Sequence, residues 1–88
     1  MSTSTLPTLQ IKIMSPDEVV WVGEAISISS ENSTGSFDIL PGHAHFVTLA
    51  NQNAPVTVRT KEKEAKEFFY TTTILAVRDD IVSIYVDI

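Results

Sequence analysis

Apolar and polar residues alternate with a period of two in four separate parts of the chain. In each part the side chains at every second position are aliphatic and those between them are mostly polar: residues 9–13, 26–29, 56–59 and 82–87. Successive side chains of a β-strand point to opposite faces of a sheet, so this period indicates strands with one apolar face and one wet face. The pattern therefore predicts β-strands over these segments.

Turn signals separate the strands at short intervals. They fall at residues 15–17, 32–35, 41–42, 51–53, 61–64 and 79–80. Short strands with turns about every 8–12 residues are typical of an all-β sandwich or barrel. Asp79-Asp80 predicts a tight hairpin, because aspartate tolerates the left-handed backbone that such a turn needs.

Three features depart from the simple alternation. Val19-Val20-Trp21-Val22 is apolar on both faces, which fits a strand covered on two sides or one whose outer face meets a partner. Gly23 follows it and is predicted to mark a bulge or a sharp bend. Residues 61–67 have helix-like charge spacing but no apolar stripe that could hold a helix to a core, so we predict a solvated hairpin loop.

The length and the ends of the chain set its organisation. Eighty-eight residues make one domain. We predict a flexible tail over residues 1–7, which are rich in Ser and Thr, and a single domain over residues 8–88. The start has no basic and apolar run typical of a signal peptide, and no stretch approaches the ~20 apolar residues of a membrane span. A cytoplasmic location is the default expectation.

Charge and composition argue against several classes of function. The formal net charge is −5, which disfavours binding to nucleic acid or to an anionic membrane surface. Four of the six bases lie between Arg59 and Lys66, where Glu62 and Glu64 interrupt them, so they form no basic patch. The chain has no cysteine, which excludes disulfides, a thiol nucleophile and a thiolate metal site.

Residues 37–48 are the most informative segment. Their sequence, Phe-Asp-Ile-Leu-Pro-Gly-His-Ala-His-Phe-Val-Thr, resembles the epsilon-subunit motif of F-type ATP synthases, in which an apolar strand runs into Leu-Pro-Gly-His-Ala. Residues 9–17, 22–28 and 70–87 are similar, in the same order, to the family's first strand and turn, its second strand and its closing hairpin. The resemblance implies an all-β fold, a small β-sandwich of two mainly antiparallel sheets with about 8–10 short strands.

The chain departs from the family pattern at several places. His45-Phe46 stands where the family usually has Pro-Leu, and Ser36 where a glutamate is common. Thr72-Thr73 replaces a usual Gly-Gly. Because threonine resists positive φ, the family's backbone conformation is not carried over to that hairpin. The family's C-terminal helical hairpin has no counterpart in these residues, so neither ATP sensing nor inhibition is expected.

The resemblance implies a non-catalytic rotor subunit of the central stalk. Such a subunit links the gamma subunit to the membrane c-ring of a proton- or sodium-translocating F-type ATP synthase. It needs no cofactor or metal and stays peripheral at the cytoplasmic face of the cell (inner) membrane, held by the complex without inserting.

The family motif also assigns residues to contacts. Pro41 and Gly42 form the structural turn, because proline presets φ and glycine permits a φ that other residues resist. His43 and Ala44 fall where the family meets gamma, and Val20 and Val22 are added to that interface from their apolarity alone. The residues expected to meet the c-ring loops are Glu31, Asn32, Ser33, Thr34, Gly35 and Ser36.

Two groups of residues near the Pro41-Gly42 turn resemble reactive sites, and neither is complete. His43 and His45 with Asp38 suggest a metal, but two histidines at one turn leave an incomplete set of ligands, so surface or interface histidines are expected. Ser36, His43 and Asp38 lack the strained nucleophile turn of a hydrolase. The alternative function is a stand-alone β-sandwich module that recognises a protein or a carbohydrate.

Overall fold

The computed structural model describes residues 7–42, 45–62 and 64–87. Within these ranges the chain forms nine β-strands and no helix. The strands are β1 (Leu9–Met14), β2 (Val19–Ala25), β3 (Ser27–Asn32), β4 (Gly35–Ile39), β5 (Phe46–Leu49), β6 (Pro55–Arg59), β7 (Ala65–Phe69), β8 (Thr73–Arg78) and β9 (Ile81–Val86).

The strands form two sheets. One has five strands in the order β2-β1-β9-β8-β5, and the other has four in the order β4-β3-β6-β7. Neighbouring strands are antiparallel except β1 and β9, which are parallel. The predicted all-β sandwich of two mainly antiparallel sheets is confirmed.

The core lies between the sheets and consists mainly of aliphatic positions of the alternating segments, to which Ala25, Ile39 and Leu75 are added. The aliphatic side chains that are at most 1% exposed are Leu9, Ile11, Ile13, Ala25, Ile28, Ile39, Val56, Val58, Leu75, Val82, Ile84 and Val86. Ile26 is the exception to the predicted alternation: it lies in the bend before β3, where its N–H donates to the Arg59 carbonyl at 2.8 Å.

Strand β2 is covered on one face only. Trp21 lies on the inner side, where its ring centroid is 5.8 Å from that of Phe68 on the facing sheet. Val22 is 64% exposed. The predicted bulge at Gly23 was wrong in position: Gly23 pairs regularly with Ile11, and the register shift lies between Ile13 and Met14.

The hairpins follow the turn signals. Asp79 and Asp80 have φ of 51° and 63°, which confirms the tight turn between β8 and β9. Strand β6 ends at Arg59 and β7 begins at Ala65, so the two strands form the predicted hairpin. Residues 65–67 belong to β7, and the loop is therefore shorter than the predicted 61–67. Thr73 is buried at the start of β8, where it pairs with Val86. Its backbone is therefore extended, and no positive φ is needed there.

Candidate functional site

The tip of the β3–β4 hairpin contains the residues predicted to meet the c-ring. Asn32 pairs with Gly35 across the turn. The Asn32 Oδ1 accepts hydrogen bonds from the Thr34 N–H at 3.0 Å and from the Thr34 hydroxyl at 2.7 Å. Gly35 has a φ of +124°, which side-chain-bearing residues rarely adopt. Residues within the turn therefore close it themselves, and Ser33 and Thr34 are exposed to solvent.

A second set of hydrogen bonds fastens this hairpin to the rest of the sandwich. Asn32 Nδ2 donates to the Thr48 hydroxyl on the other sheet at 2.9 Å. Asn51 donates from its backbone N–H to the Glu31 carbonyl at 2.8 Å and from Nδ2 to the Asn32 carbonyl at 3.1 Å. The hairpin tip is therefore an exposed projection on a firmly held base.

The outer face of the four-stranded sheet carries polar side chains beside this tip. The Arg59 guanidinium donates to the Ser29 hydroxyl at 2.8 Å, and that hydroxyl donates to Asp38. These groups belong to β6, β3 and β4 and form a line across three strands. Ser29 and Asp38, together with Glu31 and Ser36, line an open depression of about 220 Å³.

The predicted structural turn lies at the other end of β4. Gly42 has a φ of +87°, which agrees with the role expected of a glycine there. Its N–H donates to Asp80 Oδ1 at 2.8 Å. His43 and Ala44, the predicted gamma contacts, lie outside the described residues.

Val20 and Val22 do not lie beside that turn. Both are on β2, at one edge of the five-stranded sheet, whereas the turn leads into β5 at the opposite edge. Four strand spacings of about 4.8 Å separate these edges, which amounts to about 19 Å. The two parts of the predicted gamma contact can therefore belong to one interface only if the partner crosses the outer face of the sheet.

That outer face carries an apolar row that the sequence analysis missed. Cross-strand pairing aligns one side chain from each strand in the order Val19, Met14, Tyr85, Ile74 and Leu49. Leu49 is 60% exposed and Val19 50%. A neighbouring row is mixed: it runs from Val22 through Lys12, Ser83 and Ala76 to Val47. Its two ends are exposed valines, and Val47 is 71% exposed.

A signal for this row was present in the sequence. Residues 74–77 are apolar at consecutive positions, which means that both faces of β8 are apolar. Contiguous exposed apolar surface on a soluble protein indicates a site of contact with another molecule. Only the strand order shows that the outward residues of five strands form one row.

His45 and Asp38, two of the residues considered for a metal, have separate partners. His45 Nε2 contacts Asp79 at 3.1 Å, and Asp38 accepts a hydrogen bond from the Ser29 hydroxyl. Within residues 7–42, 45–62 and 64–87, no group of three or more His, Cys, Asp or Glu is arranged to hold a metal. Burial raises the pKa of the Tyr70 hydroxyl, and the negative charge of Asp87 adds to this effect.

Comparison with known proteins identifies relatives over nearly the whole chain. The family model of the ATP synthase delta/epsilon chain β-sandwich domain matches residues 8–88. The ATP synthase epsilon chain of Clostridium novyi (strain NT) is 31% identical over 80 residues, which cover 91% of this chain and 60% of that protein. The epsilon chain of Psychrobacter arcticus is 29% identical over 82 residues, which cover 93% of this chain and 59% of that protein. The chain thus spans about three fifths of the length of these relatives.

Solved structures show the same fold. A chain in the cryo-EM structure of Euglena gracilis mitochondrial ATP synthase, OSCP/F1/c-ring in rotational state 1, superposes with a TM-score of 0.81 at 16% identity, covering 97% of this chain and 54% of that one. A chain in the Tetrahymena thermophila mitochondrial ATP synthase central stalk/c-ring structure gives a TM-score of 0.73 at 13% identity, covering 94% and 66%.

Proposed function

Because the chain belongs to the ATP synthase delta/epsilon chain β-sandwich family, we propose that it is a non-catalytic subunit of the rotating central stalk. In this role it links a gamma-type subunit to the c-ring of an F-type ATP synthase. One structural observation supports the proposal: a single closely packed sandwich carries two separate exposed surfaces, the tip of the β3–β4 hairpin and the outer face of the five-stranded sheet. A body that transmits torque needs a stiff core and two places to hold.

The hairpin tip and the Pro41-Gly42 turn, which belong to different proposed contacts, lie at opposite ends of β4. The hairpin tip precedes Gly35, and the Pro41-Gly42 turn follows Ile39. At about 3.3 Å per residue, the two ends of this strand lie about 13 Å apart. Two partners can therefore be bound at the same time without competing for the same residues.

The gamma-type partner is proposed to cover the outer face of the five-stranded sheet and to reach the loop between β4 and β5. This face includes Val22 on β2 and extends to β5, the edge strand that follows His43 and Ala44 in the sequence. Burial of its apolar row, and of the exposed valines beside it, would supply affinity at roughly 25 cal/mol per Å². Val20, at the edge of the same sheet, is 38% exposed and completes the proposed contact.

The c-ring loops are proposed to meet the hairpin tip on the other sheet. The surface there is polar, and Glu31 and Asp38 add negative charge beside the tip. Acidic charge would complement basic residues on the c-ring loops and help to orient the two parts. Contact with the ring would hold the subunit at the cytoplasmic face of the membrane. The described residues include no helix that could cross a bilayer.

Co-expression with the gamma-type subunit of the same organism tests the proposed function. We expect the two chains to co-elute in size-exclusion chromatography. Val47→Glu should weaken the complex about tenfold or more, because it places an unpaired charge against an apolar partner.

The matched control is Ala65→Glu, which introduces the same charge at an exposed position of the other sheet. It should leave co-elution unchanged. Elution of the unmodified chain without the gamma-type subunit would contradict the proposal and favour a stand-alone recognition module. Equal effects of the two substitutions would contradict the assignment of the face.

A further inference from the structure

Gly42 and His45, at the described ends of the connection between β4 and β5, both contact the tight turn between β8 and β9. The Gly42 N–H donates to Asp80 Oδ1 at 2.8 Å. His45 Nε2 lies 3.1 Å from Asp79 Oδ1. One turn therefore contacts the loop through both of its side chains, at two points that lie three residues apart.

These contacts join parts of the chain that are distant in sequence. Gly42 and Asp80 are 38 residues apart, and His45 and Asp79 are 34 apart. Strand pairing brings them together, because β5 is hydrogen-bonded to β8. The contacts are consequently a property of the folded sheet.

The turn that supplies the carboxylates is itself fixed to the sheet. The Gln10 N–H on β1 donates to the Asp80 carbonyl at 2.9 Å. Strands β8 and β9 remain paired up to Arg78 and Ile81, immediately beside the turn. Asp79 and Asp80 thus project from a rigid support.

The residue type at position 80 also indicates a role for its side chain. Both turn residues have left-handed φ values, 51° and 63°. Glycine is preferred at the second position of such a turn because it has no Cβ to clash. Asp80 retains a side chain despite this preference, and its carboxylate accepts the Gly42 N–H.

We propose that Asp79 and Asp80 are positioning residues that fix Gly42 and His45 for contact with the gamma-type subunit. The identity of that partner rests on the proposed function. The His45 and Asp79 side chains are 58% and 73% exposed, so this contact contributes little to overall stability. Its main consequence is that Gly42 and His45 need less ordering when a partner binds.

Two substitutions at position 80 separate the carboxylate from the turn that carries it. Asp80→Gly keeps the left-handed backbone and removes the acceptor for Gly42. Asp80→Asn keeps both the tolerance of positive φ and an acceptor oxygen. Calorimetric titration with the gamma-type subunit should show about three- to tenfold weaker binding for Asp80→Gly and near-parental binding for Asp80→Asn.

Thermal unfolding of the two variants is the accompanying control for stability. Their midpoints should stay close to that of the unmodified chain. Parental affinity in Asp80→Gly would overturn the proposal, and so would equal weakening in Asp80→Asn. A loss of affinity matched by a general loss of stability would show a structural role only and would also overturn it.

Amide hydrogen exchange of the chain alone supplies a readout that needs no partner. The Gly42 amide should exchange slowly in the unmodified chain and in Asp80→Asn, and faster in Asp80→Gly. Equal exchange in all three overturns the positioning role whatever the gamma-type subunit does. If the unmodified chain fails to bind that subunit, the proposed function fails, while the exchange of Gly42 still decides whether Asp80 holds Gly42.

Discussion

Gly23 shows how one missing side chain shapes the inner surface of β2. Trp21 lies two residues earlier on the same side of the strand, and its indole extends over Gly23. A Cβ built on Gly23 would lie 2.6 Å from both Cζ2 and Cη2 of that ring. Because real Cβ atoms do not approach other atoms so closely, any side chain at position 23 must displace the indole from Phe68.

Gly23→Ala should therefore destabilise the fold by about 1–3 kcal/mol, the usual cost of overpacking a core. Denaturant unfolding measures the change. The same substitution in a Trp21→Leu background should cost clearly less, since the clashing ring is gone, and the difference is the coupling energy of a double-mutant cycle. Equal costs in both backgrounds would show that the indole is not the obstacle.

The β3–β4 hairpin combines local and long-range support in one element. Its turn is closed by Asn32 Oδ1, which accepts both donors of Thr34. The Nδ2 of the same side chain reaches Thr48 on the other sheet. A single asparagine thus closes the turn and also ties the proposed c-ring contact to the sandwich.

Two substitutions at Asn32 should separate these roles. Asn32→Ala removes both and is expected to cost about 1–3 kcal/mol, because it leaves polar partners unsatisfied. Asn32→Asp keeps the acceptor for Thr34 but cannot donate to Thr48, and should cost less. Denaturant unfolding gives both values, and Thr48→Val is the control for the inter-sheet bond alone. Equal losses of unfolding free energy in Asn32→Ala and Asn32→Asp would contradict the turn-closing role of Asn32 Oδ1.

At the scale of the whole molecule, the sandwich keeps its two proposed contacts apart. The hairpin tip belongs to the four-stranded sheet, and the apolar row belongs to the outer face of the five-stranded sheet. A core of aliphatic side chains at most a few per cent exposed lies between them. Close-packed interiors deform little, so such a body can pass force between two partners.

Substitutions at the two surfaces should consequently have independent effects. Ser33→Trp, at the exposed hairpin tip, should weaken attachment to the c-ring and leave binding of the gamma-type subunit unchanged. Val47→Glu should do the reverse. Pull-down of each partner with each variant measures this. Loss of both partners in either variant, with normal thermal unfolding, would contradict the separation of the surfaces.

Much of the fold could be predicted from local pattern. The alternation at Leu9–Ile13 and Val82–Val86 correctly identified both strands and their buried faces. Asp79-Asp80 correctly indicated a tight turn. The bulge near β2 was misplaced, because a register shift depends on the pairing partner and glycine was present for another reason: it makes room for Trp21.

The candidate site was only partly accessible to the same reasoning. The hairpin at Asn32–Gly35 follows from its turn residues, since Gly35 supplies a φ that other residues resist. The contact of Asp80 with Gly42 could not be foreseen, because nothing near either residue in sequence specifies the other. The apolar row was missed because each of its members, such as Leu49, looks unremarkable within its own strand.

The sequence by itself determined the regularly alternating strands, such as Leu9–Ile13 and Val82–Val86, with their buried sides, and it determined where most turns lie, because these depend on interactions between residues close together in the chain. Only the tertiary structure decided that β1 lies parallel to β9 and that β5 lies beside β8. Those pairings join distant segments, and they alone create the apolar outer face and bring Asp79 and Asp80 to the β4–β5 loop. Strand order depends on the whole chain, so the local pattern of apolar and polar residues does not determine it.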